Sequence, residues 1–140
     1  MTFQSILLPV FVLVGLTFFL LFWTGRARFG AVRNGQTRVD QIALNEPAWP
    51  GPVQQVSNAF NNQFQLPLLY YILTAFAMMT RKADLLFVVM AWIFVASRYL
   101  HAFIHITTNY VRHRFTAYLV GMIVLMLMWI IFAIHILTGV

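Results

Sequence analysis

The chain has 140 residues, 61% of them hydrophobic and 9% charged, with a formal net charge of +6. A soluble domain averages about 25% charged residues, so this composition, with a mean hydropathy of +0.81, marks an integral membrane protein with room for one compact bundle and no separate soluble domain. The absence of cysteine excludes disulfides, thiol nucleophiles and Cys zinc sites, and nucleic-acid binding is excluded because no basic cluster is interleaved with stacking aromatics; anionic lipid headgroups or an anionic substrate fit the charge better.

In chain order, residues 3–23 form a run of 21 uncharged residues, close to the roughly 20 that cross the hydrocarbon as a helix. The run has no basic leader and no small-residue cleavage site, which disfavours a signal peptide. Residues 24–55 change character. They carry Arg26, Arg28, Arg33 and Arg38, an Asn34-Gly35 turn signal, and Pro47, Pro50 and Pro52, which predict a loop on the cytoplasmic side that breaks any helix. A second span is expected over residues 56–80, with a polar beginning that carries Asn58, Asn61, Asn62 and Gln65, and with Pro67 bending the helix just beyond. Asp84, after a short basic turn, is placed to cap a third span over 85–108, and a fourth follows over 115–138.

Four spans put the first and third loops on one side. Those loops hold six arginines against Arg81 and Lys82 on the other. The positive-inside rule then leaves both chain ends outside the cytoplasm, as expected for a multi-pass protein of a bacterial inner membrane. Trp92 and Trp129 fall within the spans, away from either interface, and the sequence offers no reason for them.

The third span carries the main chemical signal. Arg98, His101, His105, Asn109 and Arg112 follow one another at steps of 3, 4, 4 and 3, which places them on one helical stripe. An arginine inside a span costs about 2.5 to 3.5 kcal/mol on insertion scales, so it turns toward protein or trapped water and marks a functional candidate. Asn58, Asn61 or Asn62, and Gln65 on the second span lie at the same membrane depth and are expected to face that stripe. Two readings stand: a pocket for an anionic molecule, since guanidinium recognises carboxylates by paired hydrogen bonds, or polar groups that only lock helices together. His101 and His105 at i, i+4 also suit a metal. With Asp40, Glu46 and Asp84 as the only acids, no third ligand is in view, and no metal is expected.

These features together resemble the MAPEG superfamily, the membrane-associated proteins in eicosanoid and glutathione metabolism, in the form of its short bacterial members. The likeness runs over nearly the whole chain as a single domain, residues 1–140, and rests on four spans, the long first loop, the stretch NEPAWPGPVQQVSNAFNNQFQLP and the Arg98 stripe. It implies an all-α, four-helix up-down bundle assembling as a homotrimer, with glutathione held between subunits beside a lipid-exposed cleft.

Glutathione-binding members carry RAxxNxxExxxP on the second span. Here NAFNNQFQLP keeps Ala59 and Asn62, but places Asn58 where the motif has arginine and Gln65 where it has glutamate. On the third span, Arg98 and His101 look like the family's RxxH pattern, and His105 falls where a tyrosine often sits. By the same resemblance Arg114 and Tyr118 are the catalytic candidates, Arg114 stabilising the glutathione thiolate. Phe115 stands in place of an assisting serine, and Arg28 reaches a peptide carboxylate. The implied binding set is Arg28, Asn62, Gln65, Arg98, His101 and His105. The implied activity is a glutathione-dependent transferase or peroxidase acting on a lipophilic small molecule drawn from the lipid bilayer. The rival is a non-catalytic ligand-binding or scaffold member.

Overall fold

The computed structural model describes residues 2–43, 49–108 and 110–139. Within them the chain is all α: α1 (Phe3–Arg33), a single turn α2 (Val39–Ile42), α3 (Gly51–Asn61), a 3₁₀ turn (Asn62–Phe64), α4 (Leu66–Met79), α5 (Leu85–Ile106) and α6 (Val111–Thr138). Three of these, α1, α5 and α6, are long and apolar enough to cross a membrane. The α3–α4 segment is the fourth member of the bundle, and the protein is an integral, multi-pass membrane protein.

Three features differ from the sequence expectation, each for a local reason. First, α1 runs ten residues beyond Trp23 to Arg33. The arginines there are good helix formers and end the hydrocarbon run without ending the helix. Second, Pro50 and Pro52 start a helix rather than break one. Pro50 is the N-cap of α3 and Pro52 lies in its first turn, where no backbone N–H is required. Pro47 lies outside the described residues.

Third, the second span is two helices. Pro67 has no N–H to offer the carbonyl of Gln63, so α3 winds into the 3₁₀ turn and α4 restarts at Leu66, with Pro67 buried in its first turn. The expected bend is therefore a break. Asp84 caps α5 as expected, its Oδ1 accepting from the Phe87 N–H at 2.9 Å.

The end of α5 and the start of α6 also shift the candidate residues. Helix α5 stops at Ile106, and α6 begins at Val111, four residues before the expected start of that span. The stripe on α5 therefore ends at His105. Arg112 belongs to the first turn of α6 and is exposed, and Asn109 lies outside the described residues.

One face of α5 organises the interior. Phe87, Ala91, Phe94, Arg98, His101 and His105, at steps of 4, 3, 4, 3 and 4, are all buried. Against the apolar half of that face pack Leu13, Leu16 and Leu20 of α1, Tyr70, Leu73 and Ala77 of α4, and Leu125 and Met128 of α6. The Tyr70 and Phe94 rings meet at 5.1 Å between centroids. Trp129, unexplained by sequence, sets its ring edge-on against Phe76 and Phe132. The side chain at Gly121 of α6 is absent because there is no room for one: a Cβ there would lie 2.7 Å from Ser97 Oγ of α5.

Candidate functional site

The polar half of the α5 face meets the break between α3 and α4. Asn62, the first residue of the 3₁₀ turn, makes two contacts across the interface. Its backbone carbonyl accepts from Arg98 Nη2 at 3.2 Å. Its side-chain amide Nδ2 lies 3.0 Å from His105 Nε2. An amide nitrogen can only donate, so His105 accepts at Nε2 and carries its proton on Nδ1.

Buried hydrogen-bonding capacity is left over at this place. Arg98 is 0% exposed, yet its Nε and Nη1 have no hydrogen-bond partner among the described residues. The same holds for Nδ1 of His101 and of His105. Their rings stand edge to face at 4.8 Å, and the His101 ring is 5.7 Å from that of Tyr118 on α6. The Arg98 guanidinium is 5.9 Å from the Tyr118 ring, within the range of a cation–π contact. Most buried polar atoms in native proteins find a partner, so a cluster of orphans points to a ligand or ordered water.

A cavity of about 550 Å³ opens beside these groups. Asn58, Asn61, Asn62 and Gln65 line it from the α3–α4 break, His101 and His105 from α5, and Val111, Arg114, Phe115 and Tyr118 from the first turns of α6. The walls are predominantly polar, and among the described residues no acidic side chain lines them. Arg114 reaches the cavity because α6 starts early, which places it in the first helical turn rather than in a loop.

A second cavity of about 470 Å³, wholly apolar, lies further along the same face of α6. Leu66 and Leu69 of α4 and Met122, Leu125, Met126, Trp129 and Ile130 of α6 line it. Tyr118 in the polar cavity and Met122 in the apolar one are one helical turn apart, as are Gln65 and Leu69 on the facing strand of chain. The polar cavity, between the α3–α4 break, α5 and α6, is thus followed along α6 by the apolar one, between α4 and α6.

Of the eight residues proposed from sequence, Asn62, Gln65, His101, His105, Arg114 and Tyr118 line the polar cavity. Arg98 sits behind it, buried, and acts on it through the Asn62 carbonyl. Arg28 is elsewhere. Its Nε donates to Ser57 Oγ at 3.1 Å and its guanidinium lies 4.9 Å from the Trp49 ring, so it braces α1 against the middle of α3 and the residues that lead into it. Among the described residues no group of three or more His, Asp or Glu is placed to hold a metal.

Sequence reasoning missed Gln63. It is 2% exposed and points away from the cavity, its Oε1 accepting from Thr17 Oγ1 of α1 at 3.2 Å while its Nε2 donates to the Ala59 carbonyl at 3.5 Å. The available signal was Thr17, a hydroxyl in the middle of an otherwise apolar run.

Fold and site together define a multi-pass membrane protein with a cationic, amide-rich cavity in one half of its bundle. Residues 6–134 match the MAPEG family, and the chain belongs to it. No individual curated protein and no solved structure matches the chain.

Proposed function

We propose that this protein is a glutathione-dependent transferase or peroxidase acting on lipophilic electrophiles, with its site on the cytoplasmic side of the membrane. The observation that carries the reading is the pairing of cavities: a polar one of about 550 Å³, within the roughly 300–1,000 Å³ of small-molecule sites, beside an apolar one on the same face of α6. A peptide thiol suits the first and a membrane-soluble electrophile the second. The side-chain amides of Asn58, Asn61, Asn62 and Gln65 on its walls give the polar cavity donors that a carboxylate or peptide carbonyl would satisfy.

In this reading Asn62, Gln65, His101 and His105 hold the peptide, with Arg98 supporting Asn62 from behind and Arg28 holding α3 in place through Ser57. Arg114 supplies the catalytic field. Lowering a thiol pKa from about 8.5 to about 6.5 requires roughly 2.7 kcal/mol of preferential thiolate binding. A hydrogen bond to a charged group contributes about 1.5 to 3 kcal/mol, so one guanidinium in a half-buried cavity nearly suffices. The thiol proton passes to water, and the sulfur forms its bond to the electrophile as the displaced electron pair leaves on the electrophile's own heteroatom. Tyr118, beside Arg114 and one turn from the apolar cavity, is placed to donate a proton to that atom.

Calorimetry on the detergent-purified protein tests the reading. Glutathione should bind, and Arg114→Ala should lower turnover far more than affinity. Equal losses in both would count against thiolate stabilisation.

A specific observation favours a second reading, that of a non-catalytic ligand-binding or scaffold protein. Among the described residues no carboxylate lines the cavity to grip the peptide's amino group, and Gln65 stands where the family motif has glutamate. No detectable binding at millimolar glutathione would select this reading.

A further inference from the structure

The end of α1 carries a charged face that the site does not use. Four arginines lie on it or just beyond, and they divide into two kinds. Arg28 is turned inward onto Ser57 and Trp49, and Arg38 pairs with Asp40 at 3.6 Å. Arg26 and Arg33 are exposed and have no hydrogen-bond or ion-pair partner among the described residues. They share a stripe with two bare rings: Phe22, Arg26, Phe29 and Arg33 follow at steps of 4, 3 and 4, with Phe22 74% and Phe29 69% exposed.

The depth of this stripe follows from helix length. A helix of 31 residues is about 46 Å long, against about 30 Å of hydrocarbon and about 40–45 Å for a bilayer with its headgroups. The last ten residues of α1 therefore pass through the headgroup layer. Exposed phenylalanines alternating with cations are poorly suited to bulk water, and well suited to a layer whose upper part is anionic phosphate and whose lower part is acyl chain.

We propose that this face of α1 is a binding surface for anionic phospholipid headgroups, Arg26 and Arg33 pairing with phosphate oxygens while the Phe22 and Phe29 rings rest between the glycerol and acyl regions. The charge balance supports that partner: the chain is six positive charges in excess, and guanidinium groups bind phosphate by paired hydrogen bonds. The surface acts independently of any thiol substrate, so its test does not depend on the function proposed above.

The test is relative lipid association, measured by electron paramagnetic resonance with spin-labelled phosphatidylglycerol and phosphatidylcholine on the reconstituted full-length protein. The wild-type protein should prefer phosphatidylglycerol, and the preference should fall as ionic strength rises. Arg26→Gln/Arg33→Gln should lose selectivity by about fivefold per arginine, the effect of a basic residue at an anionic surface. Both positions are exposed, so circular dichroism and elution volume should be unchanged, and Arg26→Lys/Arg33→Lys should retain most of the preference. A wild-type protein without selectivity, or a glutamine variant as selective as wild type, would overturn the proposal.

Discussion

Along one face of α5, Phe87, Ala91 and Phe94 are buried to 8%, 0% and 0% exposure, and Arg98, His101 and His105 further along the same stripe to 0%, 3% and 6%. The two halves are equally hidden, but by different means. The first half fills space: Phe94 meets Tyr70, and Ala91 leaves room for its neighbours. The second half keeps polar atoms that packing leaves without partners, among them two nitrogens of a guanidinium. Burying an unpaired polar group costs about 1 to 3 kcal/mol, and a charged one more. Single orphaned atoms occur elsewhere, the Tyr70 hydroxyl among them, but among the described residues the polar half of α5 gathers four on one helix face, the two guanidinium nitrogens of Arg98 and the Nδ1 atoms of His101 and His105.

The largest expected effect comes from removing the charge from the polar half. Arg98→Met keeps the bulk of the side chain and discards a buried cation that among the described residues makes one hydrogen bond, to the Asn62 carbonyl. Replacing buried charge with apolar volume is often neutral or stabilising, so the variant should melt in detergent at an equal or higher temperature. Ligand affinity should fall at least tenfold, because Asn62 loses its anchor. The opposite pair of results, a collapsed or dissociated protein, would show that Arg98 only locks helices and would remove the difference between the halves.

A smaller effect tests the junction. Ser97 lies between Phe94 and Arg98, and its Oγ donates to the Phe94 carbonyl at 2.6 Å in the space left by Gly121. Gly121→Ala should force that hydroxyl to rotate and lose its bond, costing about 1 kcal/mol. Adding Ser97→Ala removes the obstructing atom, so thermal unfolding of the double variant should recover most of the loss. No recovery would mean that α6 itself is pushed away from α5.

How far the sequence revealed this arrangement depends on which force set each feature. Helices α1, α5 and α6 were legible because an apolar run of that length has few other uses. Steps of three and four placed Arg98, His101 and His105 on one face, and the amides of residues 58–65 at the same depth. What escaped was set by tertiary partners or by local backbone chemistry. The missing N–H of Pro67 turned one span into two helices, and the Arg112-His113-Arg114 run read as loop although it opens α6. Arg28, a carboxylate contact by the family resemblance, makes contacts within this chain with Ser57 and Trp49 that no sequence spacing announced. Gln63 lies off the amide stripe, so periodicity assigned it no role, and only α1 gives it one.

That last residue supports the smallest of the predicted effects. Gln63 ties the 3₁₀ turn to α1 through Thr17, while its neighbour Asn62 ties the same turn to α5. Gln63→Leu and Thr17→Val should each cost about 1 kcal/mol in thermal unfolding, the worth of a hydrogen bond. The double variant should cost less than their sum by about 0.5 kcal/mol or more, since residues in contact share their interaction energy. Thr17 keeps an alternative acceptor in the Leu13 carbonyl at 3.3 Å, which holds the coupling to the low end. Gln63 does not line the cavity, so a loss of glutathione affinity in Gln63→Leu can only be transmitted through the turn. Additive stability losses with unchanged affinity would mean that the turn holds Asn62 without help from α1, and that the polar half of the bundle is organised by α5 alone.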